Sequence, residues 1–224
     1  MSISRVQQMS AGLSYATFTS TPTAGNLMVV LWGADNATSA GETQGVNEAG
    51  WTEVVSRDLT GSGSRIKMFA KIAGAGESKT VTVVETNGGT FSYATIIIGE
   101  FSSTSGWGSL AGLTTDSAAS AGTTTSLAVG SVNAANASDL VIAGVYPTGG
   151  SAGAWGGWSN GFTTMEWTGG GRGGYLFTGS AGTYTTTLTW ATARYAGGVI
   201  AVFAPTVAAT GCPKMTDHYA RLRR

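Results

Sequence analysis

Residues 26–34 read NLMVVLWGA, a near-continuous apolar run from Asn26 to Ala34. A run this short suits a central β-strand covered on both faces. The stretches around it follow a β pattern as well. Residues 13–21 (LSYATFTST) alternate loosely, and residues 51–57 (WTEVVSR) follow. In residues 65–72 (RIKMFAKI), Ile66, Met68 and Ala70 point one way while Lys67, Phe69 and Lys71 point the other, the period of a strand. Residues 79–86 (KTVTVVET) alternate again, and residues 92–101 (SYATIIIGEF) form another buried-type run. The spacers Gly61-Ser62-Gly63, Gly74-Ala75-Gly76 and Asn87-Gly88-Gly89 supply the positive φ that tight turns require. No long amphipathic helix is evident, and the abundant Thr and Val suit a pleated surface better than a helix.

The same order recurs downstream. Asn26-Leu27-Met28-Val29-Val30 is echoed by Asp139-Leu140-Val141-Ile142-Ala143, and Gly50-Trp51-Thr52 by Gly161-Phe162-Thr163. Gly76 and the alternation after it match Gly182 and residues 183–190 (TYTTTLTW), and residues 96–101 match 199–203. The offset falls steadily through 113, 111, 106 and 102 residues, as a duplication with shorter loops in its second copy would give. The expectation is therefore two similar halves, residues 1–106 and 107–204, each built on six strands. They share one sandwich in preference to forming two, because Gly, Ala and Thr leave either half few large residues for a core of its own. Low-complexity residues 102–122 join the halves, either as a linker or as an edge strand near residues 110–115. Residues 205–224 form a separate basic tail.

Composition narrows the function. Gly, Ala, Ser and Thr account for 122 of 224 residues, 11% of the chain is charged, and the net charge is zero. Hydrophobic residues reach 42%, which excludes a disordered chain. No basic excess marks the body of the chain, so nucleic acid is not an expected partner. A single cysteine, Cys212, rules out an internal disulfide. Residues 1–8 (MSISRVQQ) lack the apolar core of a secretory signal, and no apolar stretch is long enough for a transmembrane helix.

Catalytic signatures are lacking. The chain has no Gly-x-Ser-x-Gly elbow, no His-Glu-x-x-His and no phosphate-binding loop. The only histidine, His218, and Cys212 both lie in the tail. Glu53, Glu100 and Glu166 are strand candidates for a glycosidase pair, but nothing in the sequence brings two together. They read as solvent-facing residues or as partners of Arg57, Arg65 or Lys67. Asp35, Glu42 and Glu48 share a loop but do not form a calcium ladder. No enzyme, cofactor or metal is expected. The better leads are aromatic: Trp107, Trp155, Trp158 and Trp167, which plug the sandwich, anchor an interface or stack on sugars. In the tail, Lys214, His218, Tyr219, Arg221, Arg223 and Arg224 are the candidate contacts to a neighbouring subunit.

Several of these segments carry a family resemblance. They are residues 24–27 (AGNL), 50–52 (GWT), 69–76 (FAKIAGAG), 99–102 (GEFS) and the weaker copy at 139–143 (DLVIA). Together they resemble β-sandwich proteins of tailed-bacteriophage and prophage structural modules: capsid-decorating proteins, head or tail fibres and adhesin domains. The resemblance covers most of residues 10–204 and leaves the tail outside. It implies an all-β, jelly-roll-like antiparallel sandwich. It also implies a non-enzymatic virion protein, made in the host cytoplasm, that forms a homo-oligomer and contacts capsid or fibre subunits. Capsid decoration is the leading expectation. A fibre or adhesin subunit, or a module binding a cell-surface glycan through its tryptophans, is the alternative.

Overall fold

The structure is a computed structural model that describes residues 2–37, 43–59, 62–85, 91–150, 152–165 and 170–206. It is all-β and antiparallel. Strands β1 (Ile3–Ala11), β2 (Tyr15–Thr17), β3 (Leu27–Asp35) and β4 (Gln44–Val46) come first. They are followed by β5 (Thr52–Leu59), β6 (Ser64–Ile72), β7 (Thr80–Glu85) and β8 (Ser92–Ser103). The second set is β9 (Thr115–Ala119), β10 (Thr124–Ala134), β11 (Leu140–Pro147), β12 (Trp155–Trp158), β13 (Thr163–Thr164), β14 (Arg172–Phe177), β15 (Gly182–Arg194) and β16 (Ala196–Phe203). A 3-10 turn, Thr148–Gly150, follows β11. Among the described residues, no helix is long and apolar enough to cross a membrane.

The strands form four sheets. The first set is ordered β1-β8-β3-β6-β5 and β2-β7-β4, and the second β9-β16-β11-β14-β13 and β10-β15-β12. The two orders coincide once eight is added to each number. In each set the chain shuttles between its five- and three-stranded sheets at every connection except β5–β6 and β13–β14, as in a jelly roll. Each set holds eight strands, where the sequence pattern suggested six. The additional ones are short, or polar edge strands with weak alternation. Between the sets, β9 begins at Thr115 and pairs with β16.

The sheets stack in four layers. In β3, Leu27, Val29 and Leu31 enter a central cluster with Ile66, Met68, Leu140, Ile142, Val199 and Phe203, so the two five-stranded sheets face each other. The intervening Met28, Val30 and Trp32 enter an outer cluster with Phe18, Val81 and Val83, under the β2-β7-β4 sheet. A third cluster joins Val141, Ala143 and Val145 to Leu127, Val129, Leu188 and Trp190, under the β10-β15-β12 sheet. This explains the unbroken apolar run at residues 26–34: every side of β3 is covered. Burial of each such Leu, Ile or Phe contributes about 1.5–3 kcal/mol.

Glycine sets the closeness of the central seam. A Cβ on Gly33 would lie 2.5 Å from the Tyr146 ring, and one on Gly197 would lie 2.5 Å from Leu59 Cδ1. On Gly144 it would lie 2.8 Å from Leu31 Cδ2. Each glycine thus leaves a hollow for a large side chain of the opposite sheet. Polar contacts cross the seam at one pole. Gly149 N donates to Asp35 Oδ2 (2.8 Å), the Tyr146 hydroxyl to Tyr93 O (2.9 Å), and Gly170 N to Thr95 Oγ1 (2.9 Å).

At the other pole the described chain ends meet. Ser2 N donates to Thr104 Oγ1 and Thr104 N returns a bond to Ser2 O. Thr206 N donates to Gly106 O, and Trp107 forms an isolated bridge with Pro205.

Candidate functional site

The outer face of β10 and β15 has an unusual surface. Leu127, Val129, Leu188 and Trp190 point into the core, so the intervening residues point out. Across the strand pair the outward residues match as Ser126 with Thr189, Ala128 with Thr187, Ser131 with Thr185, and Asn133 with Thr183. Thr183 Oγ1 donates to Asn133 Oδ1 (2.7 Å) and Thr185 Oγ1 to Gly130 O (2.7 Å), which fixes the hydroxyls in a ladder. No charged residue occurs in β10 or β12, and β15 carries one, Arg194 at its end. By sequence, residues 1–106 hold 14 charged side chains and residues 107–204 hold five. The second half therefore presents a broad face of small hydroxyl and methyl groups.

A bulge shapes this face. The register shifts between Ala128 and Ser131, where Gly130 adopts φ 99°. Asp116 clamps the bulge by accepting from Ser131 N (2.8 Å) and from Ser117 N (2.7 Å). A Cβ on Gly130 would strike the Asp116 carboxylate, so glycine is required there on two counts.

The sequence-selected tryptophans lie beneath and beside this face. Trp155 meets Trp190 edge-on with centroids 6.0 Å apart, and the Arg172 guanidinium sits 5.6 Å from the Trp155 ring. Arg172 NH1 donates to Gly156 O (2.8 Å), and burial lowers the Arg172 pKa from its ordinary value. Trp158 Nε1 donates to Gly173 O (3.1 Å) and its ring packs near Phe162. Both rings are half-buried against the second outer core. Trp107 belongs to the central core instead, where its Nε1 donates to Phe101 O (3.1 Å). The structure therefore groups Trp155 with Trp158 and separates Trp107 from them. Trp167 and the tail residues Lys214, His218, Tyr219, Arg221, Arg223 and Arg224 lie outside the described residues, as do Glu42, Glu166 and Cys212.

Charge concentrates on the first half. Arg65 holds Asp58 through two bonds and donates to Gln44 Oε1 (2.9 Å), while Gln44 Nε2 donates to Glu85 Oε2 (2.7 Å). The bond from Arg65 keeps the Asp58 carboxyl below its ordinary range. Lys67 pairs with Glu53 at 2.8 Å. An open cleft of about 420 Å³ borders Ser56, Arg57, Asp58 and Arg65.

Glu100 departs from the sequence expectation. It is fully buried, not solvent-facing, and among the described residues it is not paired with a cation. It accepts instead from Gln7 Nε2 (2.5 Å), Thr23 N (2.8 Å) and Asn26 Nδ2 (2.6 Å). Glu53 and Glu100 lie three strand spacings apart in one sheet, roughly 14 Å, beyond the reach of a glycosidase pair. The loop acids are also occupied. Asp35 accepts from Ser64, Tyr146 and Gly149, and Glu48 accepts from Thr82 N. Among the described residues, no three His, Cys, Asp or Glu side chains are placed to hold a metal.

Comparison with known proteins finds no match. This holds for protein-family models, for curated proteins and for solved structures. Sequence reasoning singled out the tryptophans but missed the hydroxyl ladder above them. The TYTTTLT alternation in residues 183–189 is its visible trace, since every second residue is Thr.

Proposed function

We propose that this chain is a non-enzymatic structural protein that self-associates through the β10-β15-β12 face, and that its setting is the tailed-phage virion, as a capsid-decorating subunit. The observation that carries this reading is the uncharged ladder Ser126/Thr189, Ala128/Thr187, Ser131/Thr185 and Asn133/Thr183. A face without charge meets a second copy without like-charge repulsion, and its small side chains allow close approach. Sparse surface charge keeps a lone subunit poorly soluble, a cost that assembly removes. The virion setting rests on the resemblance of residues 10–204 to phage structural modules.

The placement of the chain ends favours a second version, a fibre or adhesin subunit. Ser2 and Thr206 anchor at one pole, and the pole around Tyr93 and Gly149 at the opposite end is the one to face a ligand.

Light scattering on the purified chain tests the assembly reading. The full chain should give a discrete oligomer. Ala128→Arg, at an exposed position on the ladder, should return it to monomer while the strand signal in circular dichroism stays unchanged. A full-length chain that is monomeric at all concentrations overturns self-association. Mixing the chain with purified phage capsid shells tests the setting, because a decorating subunit sediments with the lattice and a fibre subunit does not.

A further inference from the structure

Gln7 occupies a site built more closely than a strand contact requires. A bulge between Arg5 and Gln7 in β1 leaves Val6 as the extra residue and places Gln7 opposite Glu100 of β8. Gln7 Oε1 accepts from Thr19 Oγ1 (3.0 Å), Ser20 N (3.1 Å) and Ser20 Oγ (3.2 Å). Gln7 Nε2 donates to Glu100 Oε2 (2.5 Å) and Ser20 O (3.1 Å). The backbone N–H and C=O of Ser20 fix which end of the amide is oxygen and which is nitrogen. A carboxamide is thus held with two hydroxyls, that of Thr19 the nearer, and a backbone N–H on its carbonyl side, and a fully buried carboxyl group on its nitrogen side.

We propose that Thr19 and Gln7 form an internal ester cross-link, with Glu100 carrying the proton. The Thr19 Oγ attacks Gln7 Cδ, and the developing oxyanion is held by Ser20 N–H, the donor that already contacts this oxygen. The C–N bond then breaks and Nε2 leaves as ammonia. Thr19 directs its hydroxyl proton at Gln7 Oε1. The Glu100 carboxyl, whose Oε2 touches Nε2, protonates the leaving nitrogen and regains a proton, the one Thr19 gave up, as the carbonyl re-forms. One carboxamide and one hydroxyl become one ester and one ammonia, so no oxidant, metal or cofactor is needed. The bond would tie β1 to the loop preceding β3.

Intact-mass spectrometry of the purified full chain tests this directly. The expected mass is lower than the sequence mass by one ammonia. Trypsin cannot locate the bond, because no Lys or Arg lies between Arg5 and Arg57. Chymotrypsin can, since cleavage at Tyr15 and Phe18 separates Gln7 from Thr19 unless an ester joins them. Alkaline hydroxylamine should release the joined fragments. Glu100→Gln keeps the side-chain shape and should abolish the mass loss while circular dichroism remains that of the parent. Thr19→Val should also retain the full mass. A parent chain at full sequence mass, or one in which water has converted Gln7 to glutamate, overturns the proposal. So does an ammonia loss that maps elsewhere, such as to the Asn160-Gly161 pair.

Discussion

The carboxylate of Asp35, at the end of β3, accepts the backbone N–H of Gly149 from the opposite half at 2.8 Å. The same side chain accepts from Ser64 Oγ (2.6 Å) and lies 3.2 Å from the Tyr146 hydroxyl, which shares its one proton with Tyr93 O (2.9 Å). Asp35→Ala takes the acceptor from Gly149 N, at about 1–3 kcal/mol if that group stays buried and unpaired, and leaves Ser64 Oγ with only the longer contact to Ser62 O, while Tyr146 keeps Tyr93 O. Urea unfolding should show a midpoint loss larger than that of Asp58→Ala, whose own carboxylate is exposed at the surface, where ion pairs contribute about 0–1 kcal/mol. Equal losses would remove Asp35 from its assigned role.

Tyr146 makes the same seam sensitive to alkali. Burial, and then the nearby Asp35 charge, push its pKa well above the ordinary value of 10.0. The neutral phenol is therefore favoured by folding. Its contribution is fully present below pH 10.0 and is lost as pH rises beyond it, because the unfolded chain releases the proton first. Unfolding free energy measured from pH 9 upward should fall more steeply in the parent than in Tyr146→Phe. Parallel curves would refute the assignment.

The glycine hollows predict a graded cost. Gly33→Ala forces a methyl to within 2.5 Å of the Tyr146 ring, and Gly144→Ala to within 2.8 Å of Leu31. Overpacking of this kind costs about 1–3 kcal/mol. Gly45→Ala, where an added Cβ meets nothing within 4 Å, is the matched control. Thermal melts should rank Gly33→Ala lowest and Gly45→Ala near the parent. A control variant as unstable as the seam variants would show that crowding at the seam does not set the effect, since backbone entropy alone favours alanine.

Acid acts on the first half through Glu77. Burial would raise its pKa, yet bonds from Lys71 and from Gly74 N outweigh that and lower it below the ordinary 4.5. A depressed carboxylate stabilises the fold above its unfolded value, and that stability is lost as pH falls through the folded value. Stability should therefore decline below about pH 4.5 in the parent, and Glu77→Gln should flatten part of that decline. An unchanged acid limb in the variant would place the titration elsewhere.

Much of the architecture was written in period and burial. The run at residues 26–34 announced a strand covered on both faces, and the alternation at residues 65–72 assigned Ile66 and Met68 to one layer and Phe69 to the next, as the clusters show. β1 escaped notice because ISRVQQMSA is an edge strand whose polar residues face solvent and loops, so its apolar signal is weak. Glu100 was misread because burial of an acid depends on donors from distant sequence: Gln7, Thr23 and Asn26 become its partners only when β1 and the loop before β3 close over β8. The tryptophans were legible as residues and not as environments. Whether an indole faces solvent or a core depends on which sheet lies behind it, and the four-layer stack is not visible in local pattern.

The meeting of Ser2 and Thr206 on either side of residues 103–108 determines how the molecule bears load. Tension applied between these two points does not shear the layers past one another. It peels the edge strand β1 from β8 starting at Ile3 and Ser103, and draws β16 out from between β11 and β9 starting at Phe203 and Ala201. Ladder bonds then break in sequence, each carrying the whole force in its turn, so the fold is mechanically soft along that direction. Force delivered instead through the sheet faces spreads over the interlocked seam, where many contacts must yield together. The same protein is thus a zip when drawn by its ends and a block when pressed between neighbours.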